Sequence, residues 1–81
     1  MTMDETIRLV LSEHGRLQVD PATLEDATDL FAVGMTSHAS VNVMLALEDA
    51  FDIEFPETML KKSTFESIAA IRTSVQQMTE A

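Results

Sequence analysis

The sequence predicts an all-α fold: a bundle of three main helices plus one short helix, with a long loop between the first two helices. Three observations carry this. Glycine and proline are scarce, two of each in 81 residues, which disfavours a sheet with many turns. Ala, Leu, Met, Glu and Gln are common, and all favour helices. Apolar residues recur at helical spacing in separate stretches of the chain.

The first helix is marked by Met3, Ile7, Val10, Leu11 and His14, with Gly15 following as a stop. Leu17 to Met35 reads as a long connection, with Asp20-Pro21 at its start and apolar anchors at Leu17, Val19, Leu24, Leu30 and Phe31. Such length without strong periodicity often signals function. The anchors should pin it across the helices, with one short helical turn. The second helix should start near Ser37 and run to about Phe51. Pro56 suits the first position of a short helix through Met59 and Leu60. Ser63 and Glu66 have the spacing of a capping box, so the last helix should open at Ser63 and continue through Phe65, Ile68, Ala69, Ile71 and Val75.

Residues 1–81 make one domain. A chain of this size buries only about 60% of the surface its unfolded form exposes, so the core is thin. With no cysteine, neither a disulfide nor a thiolate metal site supplements it.

Fourteen acids stand against five bases, a net charge of −9, and Leu17 to Leu60 contains nine acids and no Lys or Arg. Nucleic acid and anionic membrane surfaces would repel such a domain, and a basic protein partner is the natural inference. The N-terminus has early acids and no apolar run of signal length, and no segment approaches membrane-spanning length. The expectation is a cytoplasmic monomer.

The second helix is the most informative local feature. At about 100° per residue, Val43, Met44, Leu47 and Phe51 share one side, which must be core. His38, Val41 and Leu45 form a second stripe at i, i+3 and i+7, flanked one turn on by Glu48 and Asp49. An apolar stripe with acidic edges suits a surface that a partner covers, or packing on another helix of the same domain.

Catalytic chemistry is mostly absent. His14 sits at a helix end, where a cation favours the dipole. His38 directly follows Ser37, and neighbours on a helix diverge by about 100°, so a Ser–His nucleophile pair is geometrically poor. Gly15 and Gly34 stand alone, and the connection's acids lack calcium-loop spacing. What remains is Gly34-Met35-Thr36-Ser37: a glycine that permits a tight turn, then two good N-caps. This is a capped helix, or a place to hang an anionic group against free N–H groups and the positive dipole end.

The segment Val43-Met44-Leu45-Ala46-Leu47-Glu48-Asp49-Ala50-Phe51-Asp52-Ile53-Glu54-Phe55-Pro56 resembles the second helix of the acyl carrier protein family, with its Phe-Asp and closing Pro. Length, acidity and helix order fit the same family from about Ile7 to Val75. The resemblance implies an acyl-carrier-like bundle and, by register back from Phe51, Ser37 as the serine that carries 4′-phosphopantetheine. It implies a carrier and not an enzyme, modified by a phosphopantetheinyl transferase and holding its cargo as a thioester. The family's usual Asp-Ser-Leu is here Thr36-Ser37-His38, and Asn42 stands where an acid is common. Those departures point away from fatty-acid synthesis enzymes. The partner surface implied is Thr36, His38, Val41, Asn42, Leu45, Glu48 and Asp49.

The chain looks more like a stand-alone bacterial aminoacyl carrier protein subgroup. Its members accept an activated amino acid from an amino-acid:carrier protein ligase related to class II aminoacyl-tRNA synthetases, which implies a small cargo such as glycyl or alanyl. The alternatives are an acyl carrier for a fatty-acid or polyketide-type pathway, and an unmodified helical adaptor that binds a basic protein through His38, Val41 and Leu45.

Overall fold

The computed structural model describes residues 2–79. Among them are three α-helices: α1 Met3–His14, α2 Ser37–Phe51 and α3 Ile68–Thr79. Short 3₁₀ turns lie at Pro21–Thr23, Glu57–Met59 and Lys62–Thr64. No described residue is in a strand, and no described helix is long and apolar enough to cross a membrane.

Helix α1 starts where Thr2 accepts the Glu5 N–H at 3.1 Å, a Thr-x-x-Glu signal legible in the sequence. It packs against both α2 and α3, burying Ile7, Val10 and Leu11. Leu47 of α2, Ile68 and Ile71 of α3 and Leu30 of the long connection complete a fully buried centre. Each such side chain contributes roughly 1.5–3 kcal/mol relative to exposure. The stop after α1 is shared. Gly15 keeps a right-handed φ of −76°, and Arg16 takes the left-handed φ of 53° instead.

The long connection is held by polar contacts that periodicity does not reveal. Arg8 on α1 donates to the carbonyls of Pro21 (2.6 Å) and Leu24 (2.8 Å) and pairs with Asp26 (3.0 Å). Arg72 on α3 pairs with the same Asp26 (3.0 Å) and with Asp4 (2.5 Å), which also pairs with Arg8 (2.8 Å). Two arginines and two aspartates thus tie α1, α3 and the connection together. The Leu30 N–H donates to the Glu66 carbonyl (2.7 Å), and the Ala69 N–H to the Asp26 carbonyl (3.0 Å).

Two expected boundaries move. Helix α3 opens at Ile68 and not at Ser63; Lys62–Thr64 is a separate turn, and Ser67 Oγ accepts the Ala70 N–H at 3.1 Å. The Glu66 carbonyl is taken by Leu30, and the Phe65 ring meets Phe55 edge-on at 5.3 Å. These long-range contacts hold residues 65–67 outside the helix. Pro56 precedes the Glu57–Met59 turn, and is not its first residue.

Candidate functional site

The entry to α2 is built from Gly34. Its φ of 117° belongs to glycine, and a Cβ there would stand 3.0 Å from Gln18 Cγ and 3.3 Å from the Gln18 backbone nitrogen. The Gln18 N–H donates to the Val33 carbonyl at 2.9 Å, so the start and end of the long connection run close together. Met35 is then buried, 2% exposed, which anchors the chain one step before the helix. Thr36 is the N-cap, its hydroxyl accepting the Ala39 N–H at 3.0 Å. Ser37 is the first residue of α2 and is exposed.

Helix geometry leaves the Ser37 and His38 N–H groups ahead of the first intrahelical bond. Helix α1 carries Asp4 and Glu5 in its first turn, whereas the first turn of α2 has no acid. The positive end of α2 therefore has no protein anion within that turn, which suits a phosphodiester on Ser37. His38 is exposed and follows Ser37 on a diverging direction. Among the described residues no carboxylate pairs with it and no cluster suits a metal ion.

Beside Ser37 opens a groove of about 340 Å³, walled by Phe31, Val41, Met44, Leu60 and Phe65 and edged by Lys61 and Lys62. Lys62 Nζ lies 4.9 Å above the Phe31 ring. An exposed hydroxyl, an uncompensated helix start, an apolar wall and two cations together fit an arm that begins with a phosphodiester and continues through apolar and amide segments.

The structure divides the remaining expected surface. Val41 and Leu45 are 51% and 53% exposed, so neither packs into the bundle. Val41 faces the Ser37 groove, whereas Asn42, Leu45 and Asp49 border a hollow between α2 and α1 with Leu9 and Glu13. Asp49 is exposed. Glu48 is half-buried, and one carboxylate oxygen accepts the Phe55 N–H at 2.8 Å, so it also closes the loop after α2. On the core side, Val43 and Leu47 are fully buried, while Met44 and Phe51 are partly so. The two lysines of the groove were not singled out by spacing. Their signal was that they end a base-free stretch of the chain, immediately after Leu60.

Comparison with known proteins agrees with this geometry. Residues 14–71 match the family model described as "Phosphopantetheine attachment site". An aminoacyl carrier protein of Agrobacterium fabrum is 46% identical over 74 residues, covering 91% of this chain and 89% of the relative. Among solved structures, one similar chain occurs in the crystal structure of an engineered Bradyrhizobium japonicum glycine:[carrier protein] ligase complexed with carrier protein from Agrobacterium tumefaciens and ATP. It superposes with a TM-score of 0.92 at 44% identity, covering 95% of this chain and all of that one. Another is found in the B. japonicum glycine:[carrier protein] ligase complexed with glycylated carrier protein, with a TM-score of 0.74 at 27% identity, covering 88% of this chain and 95% of that one. With an exposed serine opening α2, a family match over most of its length and aminoacyl carrier relatives across nearly all of it, the chain belongs to the phosphopantetheine-attachment family of carrier proteins, in its aminoacyl carrier branch.

Proposed function

We propose that Ser37 carries 4′-phosphopantetheine and that the cargo held there is a small activated amino acid, glycine or one of similar size. The observation that carries this is the position of Ser37: an exposed hydroxyl at the first residue of α2, beside a groove with two lysines and inside the matched family region. The arm supplies a terminal thiol on which a carboxylic cargo is held as a thioester. The chain's own part is to fix the attachment point, keep it accessible and present a recognition surface.

The modifying enzyme is a phosphopantetheinyl transferase, acting on the Ser37 hydroxyl with coenzyme A as donor. The loading enzyme is an amino-acid:carrier protein ligase resembling class II aminoacyl-tRNA synthetases. The glycine:[carrier protein] ligase complexes of the similar carriers support this choice. Both enzymes would meet the carrier, as a monomer in the cytoplasm, along Thr36, His38, Val41, Asn42, Leu45 and Asp49, with Glu48 shaping the end of that surface. The net charge of −9 favours basic residues on the enzymes.

Mass spectrometry of the protein recovered from its native host tests the cargo. An aminoacyl mass on the arm is the expected result. A long acyl chain would overturn it in favour of a lipid-type pathway.

A further inference from the structure

The domain is strongly acidic, yet the groove beside Ser37 is edged by Lys61 and Lys62 and by no acid. Of the five bases, Arg8 and Arg72 are spent on Asp4 and Asp26. Arg16 lines a separate hollow with Leu17, Val19 and Asp20, which leaves Lys61 and Lys62 as the bases beside Ser37. Their backbone is held in place: the Lys61 carbonyl accepts the Thr64 N–H and the Lys62 carbonyl accepts the Phe65 N–H, both at 3.1 Å. Lys62 Nζ lies over the Phe31 ring at the groove wall, 4.9 Å from its centre. Both lysines are exposed, so their attraction for an anion is of the modest, salt-sensitive kind.

We propose that Lys61 and Lys62 are positioning residues for the arm: they attract the phosphodiester carried on Ser37 and lay the gem-dimethyl segment that follows it along Val41, Met44 and Phe65. The inference rests on attachment at Ser37. The groove offers both kinds of contact beside Ser37: two lysines for the anion, and the Val41, Met44 and Phe65 side chains for the branched hydrocarbon. The same lysines disfavour entry of a cargo ammonium into the groove. The aminoacyl end is therefore left outside, where a partner enzyme can reach it, while the root of the arm is parked.

The test compares apo and holo protein by heteronuclear NMR, after intact-mass measurement has shown that one arm is present. Holo-minus-apo shift differences are expected at Val41, Met44 and Phe65. In the Lys61→Gln/Lys62→Gln double variant they should fall about twofold to fivefold, the range for exposed charge pairs. Lys61→Arg/Lys62→Arg should restore them. Raising the salt from roughly 0.05 to 1 M should weaken them in the wild-type chain without any substitution. Differences confined to the immediate neighbours of Ser37, or equal in wild type and the Gln variant, would overturn the proposal while leaving the attachment intact. A chain that gains no arm would overturn both.

Discussion

Glu48 near the end of α2 accepts the Phe55 N–H at 2.8 Å, bridging the turn that follows the helix. A residue on the expected partner surface is therefore also part of the fold. Its neighbour Asp49 is exposed and makes no such bond. The two acids should separate cleanly on substitution. Glu48→Ala should lower stability by about 1–2 kcal/mol, because a half-buried amide loses its acceptor, and Glu48→Gln should recover most of it. Asp49→Asn should leave urea unfolding unchanged and raise the KM of the loading ligase, most visibly at low salt.

Asp4 is held below the ordinary carboxylate range, first by its hydrogen bond from Arg8 and then by that from Arg72. A depressed carboxyl stabilises the fold above its unfolded pKa, and that contribution is lost as pH falls through the lower folded value. Stability should thus fall as pH drops below about 4. Because Asp4 is more than a third exposed, its share is small, about 0.5–1 kcal/mol after solvent screening. Asp4→Asn should flatten that part of the acid limb in urea titrations repeated from neutral to acidic pH. An unchanged acid limb would show that the four-residue network carries no such linkage.

Arg16 holds a left-handed φ of 53° just after Gly15. Arg16→Gly should relieve it and stabilise the domain by about 0.5–1 kcal/mol in thermal or urea unfolding. Gly34→Ala should act in the opposite sense. It places a methyl against Gln18 at a φ of 117°, and should cost about 1–3 kcal/mol. It should also slow modification of Ser37, since this turn delivers the chain to α2.

Much of this was legible in the sequence because it is local. Thr36 and Ser37 announce the start of α2, and its two apolar stripes separate buried Val43 and Leu47 from exposed Val41 and Leu45. What could not be read depends on partners distant in the chain. Ser63 and Glu66 satisfy a capping pattern, yet the Leu30 N–H claims the Glu66 carbonyl and Phe65 turns to Phe55, so α3 waits for Ser67. The order of the long connection was hidden for the same reason, since it depends on Arg8 and Arg72 reaching Asp26 across the fold. The lysines of the groove gain meaning only when the Lys62–Thr64 turn brings them alongside Phe31 and α2.

The measurement that bears most directly on Ser37 is intact-mass spectrometry of the wild-type chain and of Ser37→Ala. Each is incubated with coenzyme A and a phosphopantetheinyl transferase, then with glycine, ATP and a glycine:[carrier protein] ligase. The wild-type chain should gain one phosphopantetheine mass and then one glycyl mass, and Ser37→Ala should gain neither. A wild-type chain that stays unmodified across several transferases, or a Ser37→Ala chain that still takes up the arm, would contradict the assignment.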